Sequence, residues 1–132
     1  MSTKKNVELV KHFYEEAINK RDSTACERRL SEDFVHNGEF RGQAGQQKAV
    51  DAFLEAFPDL KHRTHMTVAE DDKVAAHQRW SGTHHGLFLG FEPTGKKVEF
   101  TSTAVLQIHD GRIAQAWDEV DLLGLSLQLR DD

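Results

Sequence analysis

Asp118 stands in Arg112-Ile-Ala-Gln-Ala-Trp-Asp-Glu-Val-Asp121, a segment that reads as a β-strand carrying acids. Side chains of a strand alternate between faces, so Ala114, Ala116, Asp118 and Val120 share one face. Ile113, Gln115, Trp117, Glu119 and Asp121 share the other. In the preceding segment, Val98–Ile108, the set Phe100, Ser102, Ala104, Leu106 and Ile108 is small and apolar, whereas Thr101, Thr103, Val105 and Gln107 are more polar. If the two apolar sets face the interior together, Asp118 is a carboxylate pointing into an apolar cavity. Lost hydration favours the protonated form of a carboxylic acid, and groups tuned this way exchange protons near neutral pH. The plainer alternative is a strand acid satisfied by an arginine or a backbone amide, and alternation alone leaves both open.

Other chemistry finds little support. Eight histidines invite a metal, but His62 and His65 fall on opposite faces of a strand, His84 and His85 are adjacent in a loop, and the only cysteine is remote. No such spacing makes a zinc site, and no metal is expected. Ser81 and Ser102 sit in strands, with no Gly-x-Ser-x-Gly elbow. Gly38, Gly42 and Gly45 lack the spacing and lysine of a phosphate-binding loop, and Gly82, Gly86 and Gly90 lack the strand-to-helix setting of a dinucleotide site. No cofactor is implied. His36 directly follows Phe34 and Val35, where core gives way to loop, and is the second candidate for the cavity. His62 and Gln78 share the apolar parity of their strands and are expected to point inward with Trp80.

The elements that must position these groups follow from periodicity. Val7, Val10, Tyr14, Ala17 and Ile18 predict a helix over residues 3–20. Thr24-Ala-Cys-Glu27 matches a capping box opening a short second helix to about Leu30. Ser31–Gly38 reads as a turn, a brief extended piece and a loop. A third helix, about Gln46–Phe57, carries Ala49, Val50, Phe53, Leu54 and Phe57 on a broad apolar face and ends before Pro58. That face needs a sheet to cover, and Phe53 and Phe57 are expected to meet the ligand beside Ala104 and Leu106. Two hairpins follow: Leu60–Ala69 with Val74–Thr83 around Glu70-Asp-Asp-Lys73, and Val98–Ile108 with Ile113–Asp121 around Asp110-Gly111. The first sorts Leu60, His62, Thr64, Met66 and Val68 to one face. Between the hairpins, residues 84–96 are unusually apolar for a loop and are expected to fold over the pocket mouth. The tail Leu122–Leu129 should pack back on the sheet or on a partner. Helices first and antiparallel strands after them predict an α+β fold, a strongly curved, cone-shaped antiparallel sheet closed by about three helices over an internal pocket.

At 132 residues, the chain is expected to form one domain, residues 1–132. A net charge of −5 without a Lys/Arg-rich run argues against nucleic acid as a partner. Apolar runs far below the roughly 18 residues of a span argue against a membrane. The amphipathic start is unlike a signal peptide, and a single cysteine fits a reducing compartment, so a cytoplasmic location is expected.

Taken in order, several stretches resemble one family. They are Asp33-Phe-Val-His36, Glu70-Asp-Asp-Lys-Val74, Gly82-Thr-His-His-Gly86, Pro93-Thr-Gly95 after Gly90, Asp110-Gly-Arg-Ile113, Trp117-Asp118 with Asp121 and Gly124, and Leu127-Gln-Leu129. The chain resembles the SnoaL-like polyketide cyclases of the nuclear transport factor 2-like superfamily. The resemblance implies a cystatin-like roll, commonly a homodimer packed sheet to sheet. It also implies a cofactor-independent aldol closure of a polyketide methyl ester, driven by an aspartate that falls on Asp118. The histidine that accompanies this aspartate falls on Ala104, and a pocket asparagine falls on His36. The function expected is acid/base catalysis, polyketide-type cyclisation or a related isomerisation, on a small hydrophobic carbonyl compound. Asp118 is the acid/base, His36 the orienting group, and Phe53, Phe57, His62, Gln78, Trp80, Ala104 and Leu106 are the ligand contacts. The alternative is a non-catalytic module of the same fold that binds an apolar ligand or a protein partner through its sheet.

Overall fold

The computed structural model describes residues 2–130. The amphipathic start forms α1 (Thr3–Tyr14), opened by the Ser2 hydroxyl, which accepts the Lys5 N–H at 3.1 Å. After Tyr14 the helix widens into a π-helix (Glu15–Asn19), a rare conformation that occurs frequently at functional sites. Helix α2 (Ala25–Arg29) follows, without the expected side-chain cap. Asp22 Oδ1 instead takes both the N–H and the hydroxyl of Thr24, at 2.9 and 2.7 Å. Residues expected as a turn, a brief extended piece and a loop form a full strand β1 (Leu30–His36), which turns through Asn37 and Gly38, both at positive φ, into β2 (Glu39–Phe40). Helix α3 (Gly42–Ala56) begins four residues earlier than its periodicity suggested.

The two expected hairpins are β3 (Lys61–Glu70) with β4 (Lys73–Thr83), and β5 (Lys97–His109) with β6 (Arg112–Val120). The apolar tail is a fourth helix, α4 (Leu122–Leu129), packed on β5 with Leu125 and Leu129 buried. The sheet order is β2-β1-β6-β5-β4-β3, antiparallel throughout except for the parallel pair β1 and β6. This is an α+β, nuclear transport factor 2-like fold with a curled, unclosed mixed sheet.

Two bulges re-aim strand faces. The β3/β4 register slips between Thr64 and Met66, so Met66 and Val68, sorted inward by alternation, are 55% and 67% exposed. The β5/β6 register slips between Gln107 and Ile108, which turns Ile113, sorted outward, to full burial on the same side as Ala116. One extra residue exchanges the two faces of a strand from that point onward.

Three side-chain amides tie the remaining pieces to strands, each exchanging two hydrogen bonds with one residue's backbone. Asn19, ending the π-helix, holds both backbone groups of His62 on edge strand β3 at 2.9 Å. Gln128 of α4 holds Glu99 at 2.9 and 2.6 Å, and Asn37 holds Asp118 at 3.1 and 2.7 Å. Arg21, in the left-handed region at φ 54°, fastens the end of the π-helix to the α3–β3 connection. Its guanidinium donates to the carbonyls of Ile18, Pro58 and Leu60, the last at 2.7 Å. The bonds to Ile18 and Leu60 are part-buried, and hydrogen bonds from a charged group contribute about 1.5–3 kcal/mol. Arg21→Ala is therefore expected to lower unfolding free energy by about 2 kcal/mol. A urea titration with an unchanged midpoint would contradict that assignment.

Cys26 is 1% exposed among the helices, and burial, aided by the charge of Asp51, pushes its thiol up to about 12. A thiol so held is not a nucleophile near neutrality. Ellman's reagent at pH 8 is expected to leave the native protein unlabelled and to modify it once urea unfolds the chain. Rapid labelling of the native protein would show that this helix layer opens readily.

Candidate functional site

A cavity of about 270 Å³ lies between the inner face of the sheet and the helices. Phe13, Phe34, Val50, Phe53, Phe100 and Ile113 give it an apolar lining. Few polar groups reach it: Tyr14, His36, Asp118, and the pair Arg41–Gln46, in which Nη1 donates to Oε1 at 2.8 Å. A mainly apolar cavity with a few convergent polar groups has the composition of a small-ligand site.

Asp118 reaches the cavity because β6 presents it on the inner side beyond the bulge. Its backbone is fixed by Asn37, whose Nδ2 donates to Asp118 O and whose Oδ1 accepts Asp118 N–H. The left-handed Asn37 thus continues the β1/β6 pairing one residue beyond the end of β1. The same connection sets His36, paired with Ala116, beside the acid. His36 Nε2 lies 3.7 Å from Asp118 Oδ2, and the two side chains are 15% and 25% exposed. The other carboxylate oxygen, Oδ1, is buried and has no hydrogen-bond partner among the described residues. An orphaned buried acceptor calls for an explanation, and a donor on a bound ligand supplies one. Ala104 stands directly opposite Asp118 on β5 and is fully buried. A methyl group therefore occupies the cross-strand position where the resemblance implies a histidine, and an imidazole arrives from β1 instead.

Asp118, His36, Phe53, Trp80 and Leu106 all line the cavity, whereas Phe57, His62, Gln78 and Ala104 lie outside its wall. Phe57 is buried one layer back, its ring 5.6 Å from Phe53. His62 stacks on Tyr14 at 4.6 Å and meets Trp80 edge-on at 4.6 Å, and its Nε2 bonds to Gln78 Oε1 behind these rings. Burial pushes the His62 imidazole down to about 4, partly offset by the bond to Gln78. The ring is neutral near pH 7, and because an amide oxygen only accepts, its proton resides on Nε2. The loop over residues 84–96 does not border the cavity. Its Phe88 packs on Phe53 and Phe57 at 5.1 and 5.2 Å.

Sequence reasoning missed Tyr14, Arg41 and Gln46. Tyr14 lay on the predicted helix stripe, where an aromatic reads as packing. Arg41 and Gln46 belonged to a predicted loop and helix start that gave no direction. Among the described residues no three His, Cys, Asp or Glu side chains converge as a metal site, and no helix is long and apolar enough to cross a membrane.

The fold and this pocket define a class of small-ligand α+β proteins, and comparison with known proteins gives the family. The family model for SnoaL-like polyketide cyclases matches residues 8–129, so the chain belongs to that family. Among solved structures, it is similar to TsrD from Streptomyces laurentii, with 30% identity, a TM-score of 0.89, and coverage of 98% of this chain and 97% of that one. AclR from Streptomyces galilaeus, described as a candidate hydroxylase, shares 27% identity over 97% of both chains, with a TM-score of 0.85. IdmH from Streptomyces antibioticus, described as a candidate polyketide cyclase, shares 25% identity over 94% of this chain and 97% of that one, with a TM-score of 0.84. No curated protein matches the chain.

Proposed function

We propose that the protein is a cofactor-independent acid/base enzyme acting on a small hydrophobic carbonyl compound, with polyketide-type aldol cyclisation as the reaction. The observation that carries this reading is the Asp118 carboxylate, one oxygen facing His36 and the other buried without a partner in an apolar cavity. Asp118 removes an acidic C–H proton from a carbon flanked by carbonyls. The enolate carbon attacks a ketone within the same molecule, forming a C–C bond, and the proton returns from Asp118 to the new alkoxide. Atoms and electrons balance without a redox partner. His36 orients the carboxylate and tempers its charge as the proton comes and goes. Phe53, Trp80 and Leu106 hold the apolar body of the ligand, while Phe57, His62, Gln78 and Ala104 support that wall from behind.

Incubation with linear β-polyketone methyl esters tests the reading. The expected product is an isomer of unchanged mass that has lost one ketone carbon resonance. Recovery of every ester unchanged, with equal affinity for wild type and Asp118→Asn, would support the second reading, a non-catalytic binding module. The methyl of Ala104 opposite Asp118 is the observation favouring that alternative.

We also infer a cytoplasmic homodimer formed through the outer sheet face, where Met66, Val68 and Trp117 are exposed. Sedimentation should give a dimer at micromolar concentration, and monomer alone would contradict the interface.

A further inference from the structure

The polar groups behind the cavity wall have no part in the chemistry above, yet they converge on one side chain. Tyr14 lines the cavity together with Asp118 and is the last residue of α1 before the helix widens. The widened segment is fixed at its far end by Asn19, which holds the backbone of His62. His62 in turn stacks almost parallel on the Tyr14 ring, at 14° between planes. The π-helix and the stack thus set one phenol against one imidazole, while Trp80 packs edge-on to both rings.

Gln78 sits beneath this group, with no exposed surface. Its Oε1 takes the Nε2–H of His62, which fixes the amide so that Nε2 is the end left over. That nitrogen is buried and makes no hydrogen bond among the described residues. The Tyr14 hydroxyl lies near it. An amide nitrogen has no lone pair to offer, so Gln78 gives the phenolic O–H nothing to donate to. The cavity is the open direction.

We propose that Tyr14 is a second catalytic residue, donating a hydrogen bond from its hydroxyl to the carbonyl oxygen of the ligand, with Gln78 and His62 as its positioning residues. This rests on the reading of Asp118 as the base. When that carboxylate takes a C–H proton, negative charge moves onto the oxygen of the neighbouring carbonyl as an enolate. A fixed neutral donor to that oxygen stabilises the enolate, and Tyr14 keeps its proton throughout while the transferred proton travels by way of Asp118 to the new alkoxide. Burial, with the facing charge of Asp118, pushes the Tyr14 phenol up, against a smaller opposing effect of Gln78, so it remains a neutral donor across the working pH range.

The test uses acetophenone labelled with ¹³C at its carbonyl, a ketone that reports a hydrogen bond whether or not Asp118 acts as a base. Bound to wild type, the carbonyl resonance is expected to move downfield. Tyr14→Phe, which preserves the stack on His62, should return it towards the value in apolar solvent. Gln78→Leu should weaken the displacement, and Asp118→Asn should keep it. In parallel, deuterium incorporation at the central carbon of benzoylacetone should fall about 100-fold in Tyr14→Phe, the scale of losing one such donor. A resonance that does not move with wild type, or moves equally with Tyr14→Phe, overturns the assignment. A displacement lost only in Tyr14→Phe, with no deuterium incorporation by wild type, keeps Tyr14 as a donor and rejects Asp118 as the base.

Discussion

Asp118→Asn is expected to lower turnover by about 10²–10⁴-fold, the range general acid–base groups contribute, while leaving the fold and ligand affinity nearly unchanged. The amide matches the carboxylate in size, so Phe34, Ala116 and the other walls keep their packing. The clamp from Asn37 engages only the backbone of residue 118 and survives the change. What disappears is the capacity to accept a proton from carbon and return it to oxygen. The loss should therefore appear in kcat, with KM little altered, because the missing interaction belongs to the transition state. Circular dichroism and the thermal midpoint of the variant should match those of wild type. Undiminished kcat on a substrate that wild type turns over would reject the role outright.

The second large effect is on stability in mild acid. His62 is pushed down to about 4 in the folded chain, against an ordinary imidazole near 6.5. Between these values the unfolded chain binds the proton and the folded chain does not, so stability rises with pH across this window. The contribution of neutral His62 is whole above about 6.5, declines as pH falls, and is lost below about 4, amounting to about 3 kcal/mol. The carboxyls of Glu16, Asp22, Asp59 and Asp72 are held low by hydrogen-bonded neighbours, led by Arg29, Thr24, Thr83 and Gln107 respectively. Their losses begin as pH falls through the ordinary carboxylate range at about 4 and continue below it, which leaves the upper part of the window to the imidazole. Urea unfolding at pH 7.0 and 4.5 should record the decline in wild type. His62→Phe keeps an aromatic ring against Tyr14 and removes the titration, so it should be less stable at pH 7 but flatter between the two conditions. Equal slopes for the two proteins would refute this account of His62.

Strand alternation makes the inner faces of β4 and β5 legible in the sequence, because Gln78, Phe100, Ser102, Ala104 and Leu106 all fall on the apolar parity of their strands and are buried. It also turned Asp118 inward, since the bulge in β6 falls before it and the residues from Ala116 to Val120 keep their own alternation. Beyond a bulge the same rule misleads, and Met66, Val68 and Ile113 were each sorted to the wrong side for that reason alone. Strand β1 was hidden more thoroughly. Its acids Glu32 and Asp33 interrupt the apolar pattern, and its parallel partner lies some eighty residues away, so no local turn announces the pairing. The α4 segment offered leucines without a polar face, a pattern that fits strand and buried helix equally.

At the site, alternation predicts which face a side chain takes but not its depth. His62 and Gln78 do point inward, yet Tyr14 and Trp80 intervene between them and the cavity. Tyr14 was readable as a buried aromatic and nothing more, because the π-helix after it and the amide beneath it arise only from the assembled fold. The approach of His36 to Asp118 likewise depends on the β1/β6 register, which Asn37 sets from the other end of the chain.

The central claim is that Asp118 takes a proton from carbon beside a carbonyl, and it can be tested without knowing the physiological substrate. Benzoylacetone in D₂O loses its central C–H resonance as deuterium enters, and proton NMR follows the rate directly. The account predicts that wild-type protein accelerates this loss well above buffer and that Asp118→Asn returns it to the buffer rate. Acceleration of equal size by wild type and Asp118→Asn, or none by wild type, would contradict it.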